Sequence, residues 1–304
     1  MIAGTMDLRQ LRHFTAVLDA RSFSVAARDL AVSQPVLTRS IRDLERSLRI
    51  TLFERDHRGT RPTPAGLEFH RHVRRILNDC DRAEQEVATL RTGGVGRITI
   101  GAGASYVSDL LSDVVARARD EMPALEIEVV EGLIENLLNP LHDGRIDLIF
   151  TTFAAFAIHP DLVLEPLVTV TPGVVAGAKH PLVRRRDAKL SELARYDWAS
   201  LCQPYTLDVL QRFFQSHELV APAPIRVESL DLIKALVLSG RFLALLPNRA
   251  VARELETGAV VKLPFDVPAA PLHAGIIHLH KRPRSAAMNR VMELMRAAVR
   301  GGGH

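Results

Sequence analysis

Residues Ser24–Leu48, SVAARDLAVSQPVLTRSIRDLERSL, decide how this chain is read. They spell two helices joined by a very short turn. Ser24 is placed to cap the first, whose Val25, Ala26, Ala27 and Leu30 make a small apolar face. Ala31-Val32 forms the connection. Ser33 then stands at the cap of a second helix, with Pro35 in its first turn, where no backbone N–H is missed. Leu37, Ile41, Leu44 and Leu48 recur at helical steps and define one buried stripe. The opposite face carries Gln34, Thr38, Arg39, Arg42 and Arg46. Amide and hydroxyl groups in the first turn suit base edges, and the arginines suit phosphates or guanine, as a recognition helix requires. A plain amphipathic pair with a solvated basic face has the same pattern, so the flanking sequence must separate the two.

Upstream, Asp7–Ala20 is predicted to be a helix with Leu8, Leu11, Phe14 (or Val17) and Leu18 facing the core. Downstream, Ile50-Thr51-Leu52-Phe53 reads as a strand, and the following RDHRGTR supplies a turn glycine and three arginines. That is the composition of a basic wing beside a helix-turn-helix. Thr63 caps a further helix with Pro64 at its first position. Along it Phe69, Val73, Ile76, Cys80, Ala83, Val87 and Leu90 alternate steps of four and three, a heptad seam suited to pairing with another helix. Cys80 on that seam reads as a small buried hydrophobe.

The run from Met6 to Gly66 closely resembles the N-terminal domain of LysR-type transcriptional regulators. The matching pieces are SFSVAA, the SQP-x-L-(S/T)-R helix, LE-x-x-L, LFER and TPAG, and the similarity extends more weakly to the C-terminus. The family usually begins at MDLRQL, which makes Met6 an alternative start. The resemblance implies a winged helix-turn-helix over residues 1–62, a linker helix that pairs two subunits over 63–92, and a two-lobed effector domain over 93–304. Ser33, Gln34, Pro35, Thr38, Arg39 and Arg42, with His57 and Arg58 of the wing, are the expected contacts to double-stranded promoter DNA. Phe69, Val73, Ile76, Cys80, Ala83 and Val87 are the expected dimerisation residues. A homodimer, commonly doubled to a tetramer, is implied, with RNA polymerase a further candidate partner.

After the Thr92–Gly96 hinge, strands alternate with helices, which indicates an α/β body. RITIGA (97–102), EIEVVE (126–131) and the end of GRIDLIF (144–150) read as strands of a first lobe, with helices over 106–119 and 134–142. Leu162–Thr171 and Pro264–Pro271 are placed as crossings to and from a second βα set. The segment from Leu272 to His280 returns to the first lobe, and a helix over 286–300 closes it. Lobe I is thus about 97–166 with 271–304, and lobe II about 167–270. This resembles the periplasmic-binding-protein architecture of the family's effector domain. SGRFLALLP (239–247) matches a frequent family segment except that Phe242 stands where glycine is common, which leaves the local turn open.

In such a body a small ligand lies between lobes, at strand carboxyl ends and helix starts. Ser105, Thr151, Thr152, Phe153, Gln203, Tyr205, Thr206 and Asn248 occupy those positions. Exposed N–H groups with hydroxyls favour a polar or anionic effector, while simple helix capping by Ser105, Thr206 and Asn248 is the competing role.

Other chemistry finds little footing. In IGAGAS, Tyr106 takes the third glycine position of a dinucleotide fingerprint. His273, His278 and His280 lack a carboxylate or cysteine to complete a metal set, and read as surface residues. Neither a P-loop nor a G-x-S-x-G elbow occurs. No catalytic residues, cofactor or metal are expected. Cys80 and Cys202 lack any partner spacing that would suggest a disulfide.

The net charge of +4 on 304 residues is unevenly placed. Residues 1–92 hold 16 arginines and no lysine against 12 acids, whereas the remaining 23 basic and 23 acidic residues balance. All the excess lies beside the helix pair, where phosphate contact needs it. Neither a charged-then-apolar leader nor an apolar run of spanning length is seen, so no membrane association and a cytoplasmic location are expected. The reading is a DNA-binding regulator modulated by a small effector. An α/β small-molecule-binding protein or enzyme with an accessory basic domain is the alternative, and a solute-binding protein would leave the arginine-rich head unexplained.

Overall fold

Asp7 closes the first turn of α1 (Leu8–Ala20) reciprocally. Its carboxylate accepts from the Gln10 amide at 2.7 Å, and the Gln10 side chain accepts from the Asp7 amide at 3.1 Å. This capping box fixes where the chain enters the first helix. The computed structural model describes residues 6–56, 59–92, 96–153, 160–185, 187–202, 204–267 and 272–301. The expected His57, Arg58 and Gln203 lie outside them. Packing divides the chain into one unit through Gly96 together with Leu138–Ile146, and another of Arg97–Leu137 with Asp147–His304.

In the first unit, α2 (Phe23–Asp29) is capped by Ser22, not Ser24. Ser22 is the residue with extended φ/ψ, and its Oγ accepts from the Val25 amide at 3.4 Å. Ser24 is already helical, and its hydroxyl goes elsewhere. The turn then bends through Ala31 at φ 53°, and the Val32 amide donates to Ala27 O at 2.9 Å. From α3 (Gln34–Leu48), Leu37, Ile41 and Leu44 are buried, whereas Leu48, at the helix end, is 36 % exposed. Leu8 of α1 is likewise exposed, and Leu11, Phe14 and Val17 carry that helix's share of the core.

The wing is β1 (Phe53–Asp56) paired antiparallel with β2 (Gly59–Pro62). Its strand begins at Phe53, later than expected. The reason is that Ile50 donates its amide to Glu45 O at 3.1 Å and Leu52 donates to a Glu45 carboxylate oxygen at 2.8 Å. At the far side of the wing, Thr63 caps α4 (Pro64–Thr92) by accepting from the Gly66 amide at 3.0 Å. The Thr63 hydroxyl also donates to Thr51 O at 2.8 Å, and its amide donates to Leu52 O at 2.9 Å. A Cβ on Gly66 would fall 2.2 Å from Leu52 O, so the glycine of TPAG is required by backbone approach.

Phe14 sits at the centre of this unit, with its ring centroid 5.2 Å from those of both Phe53 and Phe69. Val73 of α4 is fully buried in the same cluster, and Phe69 and Leu77 pack on it. Phe69 and Val73, expected at a subunit seam, are therefore core residues of their own head. Ile76 and Val87 remain 37 % and 60 % exposed, Ala83 is exposed, and Cys80 is half-buried.

The second unit holds two five-stranded sheets. The first uses β3 (Arg97–Ala102), β4 (Glu126–Glu131), β5 (Leu148–Phe153), β6 (Leu162–Val170) and, late in the chain, Leu272–Leu279, in the order β4-β3-β5-(272–279)-β6. Its helices are α5 (Ala104–Tyr106), continuing through a π turn at Val107–Leu111 into α6 (Ser112–Glu121), then the first turn of α7 (Ile134–His142), whose later residues group with the first unit, and the C-terminal Ala286–Gly301. The second sheet uses β7 (Pro172–Gly177), β8 (Asp197–Leu201), β9 (Ile225–Val227), β10 (Phe242–Pro247) and β11 (Val260–Lys262), in the order β11-β7-β10-β8-β9. Helices α8 (Leu190–Leu193), α9 (Pro204–Gln215), α10 (Leu230–Leu238) and α11 (Ala252–Glu256) accompany it. The late strand of the first sheet is β12, and the C-terminal helix is α12.

The segment at 162–171 is mostly not a crossing: β6 pairs antiparallel with β12, and the chain passes between sheets at Thr171. The short β11 answers to no clear pattern in the sequence. At SGRFLALLP the turn is made by Gly240 at φ 76°, so Phe242 opens β10 as an ordinary strand residue. His278, expected at the surface, is 6 % exposed with Nδ1 bonded to Leu279 O at 3.1 Å. Among the described residues no helix is long and apolar enough to cross a membrane.

Two substitutions report on the strained points of the head. Gly66→Ala should destabilise it by roughly 1–3 kcal/mol, since the backbone must move to admit the methyl. Ala31→Gly should stabilise it by about 1 kcal/mol, because glycine occupies positive φ without steric cost. Denaturant melts of both variants, reading opposite signs, would check the pair.

Candidate DNA-reading face and effector cavity

The outward face of α3 begins with an unused hydroxyl. Ser33 is extended at the cap position but makes no side-chain cap bond, and Pro35 removes one amide that would have needed it. Ser33, Gln34, Pro35, Arg39 and Arg42 are exposed, and Thr38 is half-buried. Arg39 and Arg46 both pair with Asp43, at 3.9 and 2.9 Å. Exposed pairs of this kind contribute little stability and exchange readily for phosphate.

Gln34 is held from the neighbouring helix. The Ser24 hydroxyl donates to Gln34 Oε1 at 3.1 Å, which turns the amide NH₂ away from α2. A hydroxyl mistaken for a cap thus orients a side chain that reads base edges in such helices. Beneath this face, Glu45 Oε1 accepts from both the Leu52 and Phe53 amides, at 2.8 and 3.2 Å, and ties the start of the wing to α3. The glutamate of LE-x-x-L was legible as a motif, but its partners were not.

In the second unit, one cavity of about 220 Å³ opens between the two sheets. Ser105, Thr151, Thr152 and Phe153 line it from the first, Tyr205 and Thr206 from the second. Asn248 does not: the chain leaves the wall at Pro247 and turns into a 3₁₀ segment. Ser105 and Thr206, expected ahead of their helices, lie inside α5 and α9. Gly103 holds the cap position of α5, and the Thr206 hydroxyl donates to Leu201 O at 2.8 Å. Neither hydroxyl caps its own helix in the manner considered for it.

The wall is tightly made around Thr151 and Thr152. A Cβ on Gly103 would meet Thr151 Oγ1 at 2.5 Å, so the glycine lets α5 start against β5. Thr152 Oγ1 lies 2.5 Å from the buried Tyr106 hydroxyl. Burial pushes the Tyr106 phenol above its ordinary pKa, against the opposing effects of the Thr152 bond and the Arg249 charge. The phenol stays protonated and serves as a neutral donor or acceptor. Leu133, Ile134, Leu201, Val209, Leu245 and Leu272 make much of the remaining surface apolar.

Two lining residues were not anticipated, Glu135 in the first turn of α7 and Glu228 just after β9. Both follow strand carboxyl ends, so the rule that selected Ser105 and Thr206 applied to them equally. Among the described residues, no group of three or more His, Cys, Asp or Glu could hold a metal ion.

Replacing Glu45 by alanine should destabilise the head by about 2 kcal/mol, since two amides lose their acceptor. Glu45→Gln, which keeps a carbonyl oxygen, should recover more than half of that in the same denaturant melt.

A family model described as bacterial regulatory helix-turn-helix protein, lysR family, matches residues 8–67, and one described as LysR substrate binding domain matches residues 91–300. The chain is 33 % identical over 261 residues to the SDS degradation transcriptional activation protein of Pseudomonas sp. (strain ATCC 19151), covering 84 % of each. It is 29 % identical over 296 residues to the transcriptional dual regulator GltC of Bacillus subtilis (strain 168), covering 95 % of this chain and 96 % of that one. Among solved structures, full-length CbnR complexed with its target DNA shares the fold with a TM-score of 0.69 at 21 % identity, covering 96 % of this chain and all of that one (100 %).

Proposed function

The chain belongs to the LysR family of DNA-binding transcriptional regulators, and we propose that a small effector held between its two sheets modulates promoter binding. The family assignment carries the DNA-binding head and the effector-binding α/β body. The observation that supports the effector reading is the convergence of six expected residues, from strands and helices of both sheets, on one cavity. A ligand touching both lobes binds one arrangement of them better than another, which is the thermodynamic condition for a switch.

On the DNA side, Ser33, Gln34, Pro35 and Thr38 read base edges, while Arg39 and Arg42, with His57 and Arg58 of the wing, hold phosphates. CbnR, crystallised with its target DNA, offers a template for this placement. The stripe Ile76, Cys80, Ala83 and Val87 on α4 pairs two subunits, and two such dimers form a tetramer. The division at about 62 and 92 follows from these roles. The protein acts in the cytoplasm as a sensor; the effector is released unchanged, and RNA polymerase is the further partner. The mixed apolar and hydroxyl-bearing lining supports an effector with an apolar body and a polar group.

DNA retardation over a salt series tests the head. Gln34→Ala should weaken the true operator by roughly 1–3 kcal/mol and leave non-specific binding almost unchanged. Ser24→Ala should lower specificity in the same direction by a smaller amount. Arg42→Ala should weaken all sequences alike and flatten the salt dependence. Equal loss on both DNA classes for Gln34→Ala would refute its base-reading role.

Assembly is tested by Ile76→Glu. A charge in an apolar seam costs several kcal/mol, so sedimentation should show smaller species with the head still folded. An unchanged assembly state would place the subunit contact elsewhere.

A further inference from the structure

The described wall of the cavity carries formal charge of one sign. Glu135 lines it from the first sheet's side and Glu228 from the second's, and both residues are exposed. Lysine, arginine and histidine are missing from the described lining. Three stretches adjoin lining residues in sequence but fall outside the described part: AAFAIH (154–159), Gln203 and PAAP (268–271). They contain no lysine or arginine either, and one histidine, His159. Arg249, whose charge acts on the Tyr106 hydroxyl, is not part of the wall.

An anion entering this space gives up water for a largely apolar surface and meets two like charges. A cation meets two carboxylates, one from each lobe, while its apolar part covers Leu133, Leu201, Leu245 and Leu272. On the first lobe's side of the wall the Ser105 hydroxyl leaves room for one acceptor group on the same molecule. We propose that the effector is a small apolar molecule bearing a protonated amine, either alone or as the ammonium of an apolar amino acid. This rests on the cavity being the effector site.

The placement also gives the ligand its leverage. Two carboxylates on opposite lobes resist close approach of the lobes, and an ammonium between them removes that resistance. Binding therefore favours the closer arrangement by chemistry that neither an anion nor a neutral apolar molecule supplies.

Three probes that share one branched apolar tail and differ in charge decide the matter: 3-methylbutylamine, leucine and 4-methylpentanoate. With the full-length protein, melting temperature and retention of operator DNA are read at millimolar probe. The amine and leucine should raise the melting temperature, and 4-methylpentanoate should not. In the Glu135→Gln/Glu228→Gln double variant the apparent affinity for the amine should fall about tenfold. A stronger response to 4-methylpentanoate than to the amine, an amine response unaffected in the double variant, or no response to either amine-bearing probe would each overturn the proposal. Leu245→Trp fills the cavity and separates this failure from that of the site itself. An acid response abolished by Leu245→Trp keeps the cavity and discards the amine, whereas any response that survives it discards the cavity. If Leu245→Trp does not fold, Ser105→Leu obstructs the same space from the other lobe.

Discussion

Leu52 is the point on which the head depends. Its amide is taken by the Glu45 carboxylate at the end of α3, and its carbonyl accepts from Thr63 at the start of α4. Its side chain is fully buried beneath Phe14 and its neighbours. One residue thereby fixes the recognition helix, the wing and the long helix to each other. The wing strands are only four residues each, too short to persist as a free hairpin. Their direction is borrowed from the helices at their base, and buried amides without an acceptor would cost more than the wing's own ladder returns.

The body solves a different problem. Its sheets mix parallel strands, whose carboxyl ends share an edge, with antiparallel strands that carry the chain between the lobes. Loops at those shared edges are the places where polar side chains and helix starts meet without belonging to a core. Gly103 shows the constraint most plainly: α5 begins so near Thr151 that a side chain at its cap would displace the wall. Tight packing behind the cavity and exposure in front of it leave the site's shape to the fold and its chemistry to a few side chains.

How much of this was legible depended on whether a residue's role was local. The α3 stripe from Leu37 to Leu44 and the cap at Thr63 are set within a few residues of chain; periodicity found the first and the Thr-Pro pair the second. Ser24 went wrong because Ser22 and Ser24 both offer a capping hydroxyl, and only backbone dihedrals decide between them. The heptad on α4 was real as a pattern, yet Phe69 and Val73 face Phe14 of their own head. Periodicity reports that a stripe is covered and is silent about what covers it. Strand-end reasoning located the cavity but not its charge, since hydroxyls were sought and Glu135 and Glu228 passed over. The bond from Ser24 to Gln34 and those from the Leu52 and Phe53 amides to Glu45 depend on side-chain direction, which no spacing encodes.

The covering of α4 by its own head as far as Leu77 bears on how the protein is made. Everything that the head core needs lies within the first 77 residues, so this core can close while the ribosome is still synthesising the effector body. The rest of α4, from Asn78 onward, emerges afterwards, already borne on a folded support. Encounter between nascent subunits then joins finished modules instead of completing unfinished ones. Substitutions along α4 beyond Leu77 can therefore alter that helix's outer surface without disturbing the core that supports α3.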